Sequence, residues 1–172
     1  MTTSETSVAI NDSLRLEPFC TNSHIMKVAT MGICKESAIE LEEAYGDLMS
    51  PNTGVLTSLQ SSKHAYVVLD LNGNMVAALG VAVTPLGLAV PWFLSSGFER
   101  DRRYTKDFLR GSKDMVNGWF TQLPYRIYQN KCLNSPRIVR WLRWLGFQVT
   151  ESTKDFTCFM WVRGDKRLCV HP

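Results

Sequence analysis

The chain has 172 residues, 45% hydrophobic and 20% charged, with a formal net charge of +3. That length and balance suit one folded domain with a proper core and exclude an intrinsically disordered chain. No apolar run reaches the ~18 residues of a membrane span, and the opening MTTSETSVAINDSLRLEPF lacks the basic and apolar regions of a secretory signal.

Charge is unevenly spread. Residues 1–90 hold nine acids and four bases, whereas residues 91–172 hold seven acids and fifteen bases. Between Met115 and Thr150 there is no acid, against Arg126, Lys131, Arg137, Arg140 and Arg143. An anionic partner or ligand for the C-terminal half is one reading, and a pair of solvated faces is the other. The five cysteines (Cys20, Cys34, Cys132, Cys158 and Cys169) form no CxxC pair. The expectation is therefore reduced thiols, with no disulfide framework and no metal site.

In chain order, residues 1–13 are expected to be a polar leader, with the fold entered near Leu14. KESAIELEEAYGDLMS, residues 35–50, spaces Ala38, Leu41, Ala44, Tyr45 and Leu48 at helical intervals and leaves an acidic outer face. SPNTG follows as a breaker cluster. Residues 64–85 form two β-rich runs around Asn72-Gly73, a hairpin signal. GLAVPWFLSS is a third strand, with Pro91 marking an edge, a bulge or a bend.

DRRYTKDFLRGSKDMVNGWFTQL keeps the helical period through Phe108, Ser112, Met115 and Trp119, although Gly111 and Gly118 weaken a helix. YRIYQNKCL alternates as a strand. SPRIVRWLRWLGFQV supplies Ser135 as N-cap, Pro136 at the first helical position and Gly146 at the C-terminal end. Ile138, Leu142 and Leu145 share one face of that helix, and Arg137, Arg140 and Arg143 lie on a neighbouring stripe. A second hairpin, residues 147–165, follows. The expected class is α/β, a single domain with a mixed sheet.

Two clusters are candidate sites. Arg100, Arg102, Arg103 and Lys106 stand at a helix start, where free backbone N–H groups and the positive dipole end favour an anion such as a cofactor's pyrophosphate. The alternative is surface pairing with Glu99, Asp101 and Asp107. Glu99, just after the third strand, is the carboxylate nominated as a general base. The second cluster, Lys131 with Arg137, Arg140 and Arg143, is either a solvated basic face on a core helix or a nucleic-acid surface, since arginine meets phosphate and bases stack on rings. His24, His64 and His171 have no partner at triad spacing and are expected to be structural or on the surface.

The order of elements, and the ending IVRWLRWLGFQV, resemble the GNAT (N-acetyltransferase) fold over about residues 14–162. DFLRGSKDMVNGW and YRIYQNKCLNSPRIVRWLRWLGF look most like the GNAT-like internal virion (internal core) proteins of podovirus-type bacteriophages. The resemblance implies a mixed, mostly antiparallel sheet flanked by helices, spanning residues 14–172. An active member holds the acetyl-CoA pyrophosphate on a Q/R-x-x-G-x-G/A loop. The matching segment here, SSGFERDRRYTKD, has one glycine, Gly97, and side chains crowd the amides that would approach phosphate. The general-acid Tyr of active members falls on Leu142, and their Asn before the last helix falls on Ser135, with Asn134 one residue early.

The resemblance therefore implies a virion-assembly or protein-interaction component without a bound cofactor. It would act in the host cytoplasm or the virion, with a phage or host protein as partner. Two alternatives stand beside it. One is an acyl-CoA-dependent N-acetyltransferase acting on a protein or small-molecule amine, using acetyl-CoA held by Arg100, Arg102, Arg103 and Lys106. The other is a nucleic-acid-binding module.

Overall fold

The computed structural model describes residues 8–11 and 13–164, so Asp165, Cys169 and His171 lie outside the described residues. Eight strands and five helices follow one another as β1 (Val8–Asn11), β2 (Leu14–Pro18), α1 (Thr21–Thr30), α2 (Lys35–Tyr45), α3 (Pro51–Ser61), β3 (His64–Asp70), β4 (Met75–Val83), β5 (Ala89–Ser95), α4 (Arg102–Gln122), β6 (Ile127–Leu133), α5 (Pro136–Trp144), β7 (Gln148–Ser152) and β8 (Phe156–Val162). The strands run in the order β1-β2-β3-β4-β5-β6-β8-β7. β5 and β6 pair in parallel, whereas β1 with β2, β2 with β3, β3 with β4, β6 with β8 and β7 with β8 are antiparallel. This is the mixed, mostly antiparallel α/β sheet expected. The chain forms two compact units, one of residues 1–82 and 92–111, the other of residues 83–91 and 112–172.

In the first unit, three expectations are corrected. Part of the supposed leader, VAIN, is a strand, with Val8 opposite Leu16. β2 alternates, with Leu14 and Leu16 buried and Arg15 exposed between them, as a half-buried strand requires. SPNTG is not a breaker but the start of α3. Ser50 caps it by accepting from the Thr53 N–H at 3.3 Å, and Pro51 takes the first helical position. Gly54, inside that helix, lets α2 come close: a Cβ there would meet Leu41 Cδ2 at 2.9 Å. The helix expected over residues 35–50 stops at Tyr45, where Gly46 has φ 84°. α1 has no clear period in the sequence. Its C-terminal carbonyls at Val28 and Met31 are satisfied by Asn52 Nδ2 at 2.6 and 2.9 Å.

The Asn72-Gly73 hairpin forms, but only Gly73 has positive φ (77°). The turn is instead organised by Asp70, whose Oδ1 accepts from the Asn72 and Asn74 amides at 2.9 and 2.8 Å. Val28, Met31, Leu41, Val55, Leu59, Val67, Leu69, Met75, Ala78 and Leu94 make this unit's core.

The second unit is built on aromatic rings. Phe120 stacks on Tyr128 at 3.9 Å, with Phe147 and Trp161 edge-on to it at 5.7 and 5.2 Å. Burial raises the Tyr128 phenol above its ordinary range, with nearby Arg163 acting in the opposite direction. Arg163 also closes the C-terminal end of α4, donating to the Phe120 carbonyl at 2.7 Å and to that of Leu123. α5 turns Leu142 inward, and Leu145 follows it into the core. Ser135 sits at the N-cap without a side-chain cap bond, and Gly146 follows the helix with φ 95°. Asn134, rather than Ser135, makes the polar contacts here: its Nδ2 donates to the Thr153 carbonyl at 2.7 Å, and its Oδ1 accepts from Thr157 at 3.0 Å.

Candidate cofactor site

The strand-to-helix junction at the head of α4 lies wholly within the first unit. β5 ends at Ser95, which acts as its pivot. The Ser95 amide donates to Ser37 Oγ at 3.0 Å, the Cys34 amide donates to the Ser95 carbonyl at 3.0 Å, and the Gly97 amide donates to Ser95 Oγ at 3.1 Å. The Cys34 thiol at the N-cap of α2 lies 3.4 Å from Ser37 Oγ and 3.7 Å from Ser95 Oγ. Gly97 then turns the chain with φ 87°, and a Cβ there would stand 3.4 Å from that of Cys34. The backbone requires glycine at this point.

A 3-10 turn, Phe98–Arg100, follows. Phe98 is its anchor, buried edge-on against Phe108 and Tyr104 at 5.5 and 6.1 Å. The amides of this segment are largely used internally. Arg100 N donates to the Gly97 carbonyl, Asp101 N to that of Phe98, and Tyr104 N and Thr105 N to that of Asp101. Asp101 also caps α4: its Oδ1 accepts from the Arg103 amide at 3.0 Å. A carboxylate of the chain thus stands where a helix N-terminus would receive an external anion.

The four predicted cations divide into two pairs. Arg100 is bound by Glu36 and Arg103 by Asp101. The Arg103 guanidinium and amide together hold the Asp101 carboxyl below the usual carboxylate range, and the Glu36 hydrogen bond raises Arg100 further. Arg102 and Lys106 are exposed. They carry no ion pair among the described residues. Glu99 lies half-buried within the 3-10 turn, and its carbonyl accepts from Thr105 Oγ1 at 3.0 Å. Arg102 and Lys106 are thus the two of the four predicted cations that no described carboxylate holds.

Two further features belong to the second unit. The β5–β6 pairing contains the single register pair Ala89 and Tyr128. Beyond it, Asn130 Nδ2 donates to the Pro91 carbonyl at 2.9 Å, a side-chain bond in place of a ladder rung. Pro91, which has no N–H, is where regular pairing stops. Leu142, in the place where the resemblance puts a tyrosine, is 4% exposed and packed in the core. The other predicted cations, Lys131 on β6 and Arg137, Arg140 and Arg143 on α5, are all exposed. Among the described residues no three His, Cys, Asp or Glu side chains converge as a metal site, and no helix is long and apolar enough to cross a membrane.

Sequence reasoning missed Ser37, Ser95 and Asn130, whose contacts are made far along the chain. Asp101 could have been found, because an Asp directly before a helix is an N-cap signal.

No family model matches the chain, and no curated protein matches it. Solved structures do. The ribosomal-protein-S5-alanine acetyltransferase from Vibrio fischeri is 12% identical with TM-score 0.59, over 94% of this chain and 98% of its own. The spermidine N-acetyltransferase from Vibrio cholerae, in complex with CoA and spermine, is 10% identical with TM-score 0.61, over 89% and 97%. A GCN5-related N-acetyltransferase from Brucella melitensis is 14% identical with TM-score 0.58, over 93% and 80%. The fold is that of the GNAT acetyltransferases.

Proposed function

We propose that the chain is an acyl-CoA-dependent N-acyltransferase that seats the diphosphate of its cosubstrate at the head of α4. The observation that carries the reading is the pair of exposed cations, Arg102 and Lys106, in the first turns of a 21-residue helix and without an ion pair among the described residues. There, side-chain charge and helix dipole act on the same anion. The GNAT fold supports the reading, and the missing G-x-G/A loop changes its form: guanidinium and ammonium would hold the diphosphate where bare amides do so in active members.

Acyl-CoA supplies a thioester, and transfer forms an acyl–nitrogen bond as the acyl–sulfur bond breaks. Glu99, just after β5, is the carboxylate nominated to take the amine's proton, directly or through water. Leu142 has no proton to give, so the departing sulfur would take one from solvent. The acceptor is an amine, on a protein N-terminus or a small polyamine, as for a Salmonella typhimurium acetyltransferase that modifies the N-terminal serine of ribosomal protein L7/L12 and for the Vibrio cholerae spermidine enzyme. Thiol release from acetyl-CoA, measured across a panel of polyamines and N-terminal peptides, should give turnover that Arg102→Ala plus Lys106→Ala reduces. Turnover unaffected by that double variant would remove the cations from the site.

A second reading has its own observation. Asp101 already occupies the N-terminus of α4, and Leu142 is core. Both fit a scaffold that kept the fold without the chemistry, such as the bacteriophage virion-assembly component that the sequence resemblance implies. That reading requires neither acetyl-CoA binding nor turnover.

A further inference from the structure

Nothing in acyl transfer uses the outer face of α5. Five of the nine residues of this helix are exposed: Pro136, Arg137, Arg140, Arg143 and Trp144. None is a neutral polar residue. The inner face carries the packing, so the outer face is under no structural demand to be cationic. Arg140 and Arg143 have no ion pair among the described residues. Lys113 of α4 adds a further cation, its ammonium 4.9 Å above the Trp144 ring, and Trp141 Nε1 donates to Ser112 Oγ at 3.3 Å, fixing the two helices side by side.

Arg137 also stands in the first turn of α5, which holds no acid. A cation there opposes the helix dipole. The acids of this unit among the described residues are Asp114, Glu151 and Asp155, and none lies on α5.

We infer that this face binds the phosphate backbone of a nucleic acid. Charge complementarity sets the choice of occupant. Three guanidiniums on two turns of helix, beside a half-exposed indole, match an array of phosphates with bases near enough to stack. A protein interface is typically centred on a buried apolar anchor with charges at its rim. Here the charges are the centre, and Trp144, 38% exposed, is the one large apolar group. The contacts are to backbone, so the binding is not sequence-specific.

The test is fluorescence anisotropy of a labelled 20-base-pair DNA duplex and of one of its strands, titrated with the full chain from about 50 to 200 mM salt. Two phosphates neutralised by Arg140 and Arg143 predict that duplex affinity falls by about tenfold over that range. Arg140→Glu plus Arg143→Glu should abolish most of the binding. Arg140→Gln plus Arg143→Gln should lower the slope of log affinity against log salt by about two. Arg15→Glu plus Lys35→Glu, the same change in net charge placed in the other unit, should leave binding close to wild type. Three results would overturn the inference: no binding of either DNA at 50 mM salt, equal loss in the two Glu pairs, or binding of poly-glutamate without binding of DNA. The last would assign the face to an acidic protein.

Discussion

The head of α4 and the outer face of α5 look alike as sequence, each a short run rich in arginine beside aromatic residues. They differ in what the fold does with the charge. At the head of α4, Glu36 and Asp101 bind two of the four cations, and the helix amides are capped from within the chain. Along α5, Arg140 and Arg143 have no carboxylate partner among the described residues. Counting arginines therefore does not locate an anion site. Subtracting those already paired narrows the candidates, and among the described residues it leaves Arg102 and Lys106 in one place and Arg140 and Arg143 in the other.

The largest effects should fall on the residues that support each region. Leu142→Ala should cost about 2–5 kcal/mol as a buried Leu truncation, whereas Arg140→Ala on the opposite face should change stability by no more than about 0.5 kcal/mol. Urea unfolding of both variants checks this, and similar costs would mean that the arginine face is structural. Gly97→Ala should cost about 1–2 kcal/mol, because an alanine is forced to positive φ. That would show as a lowered urea midpoint at unchanged m. In the other unit Gly118→Ala should gain about 0.5–1 kcal/mol, since Gly118 has φ in the ordinary range and nothing lies within 4 Å of where its Cβ would be.

Smaller in stability, but sharper for the comparison, is Asp101. Its folded-state pKa is lowered by Arg103. Its stabilising contribution is therefore complete above the ordinary carboxylate range and is lost as pH falls through the lowered value. Thermal melts from neutral to acid pH should show this dependence, with Asp101→Asn flattening it. The same variant removes a carboxylate from the head of α4 and should tighten acetyl-CoA binding. Unchanged or weaker binding would mean the diphosphate does not sit there.

Much of the fold was legible where local chemistry and tertiary need agree. α5 has Pro at its first position, a helical period and Gly just beyond its end, and it formed as expected. α3 was not legible, because Ser50, Pro51, Asn52 and Gly54 are turn formers by type. Here they serve as cap, first helical residue, clamp on the α1 carbonyls and close-contact point for Leu41. At the site, the cations and Glu99 could be read from the sequence but their state could not. Glu36, which binds Arg100, is 64 residues away, and Asn130 reaches Pro91 across 39. Such pairings are made by topology, and no local pattern announces them.

Acyl transfer as proposed depends most directly on whether Arg102 and Lys106 receive the cosubstrate. Calorimetric titration of the wild-type chain with acetyl-CoA, beside Arg102→Ala plus Lys106→Ala, measures this. Saturable binding weakened about tenfold or more in the double variant is the expected result, the size that follows from losing charge-assisted hydrogen bonds. No binding by the wild type up to about millimolar ligand, a limit near −4 kcal/mol, would contradict the account and leave the fold without its cofactor.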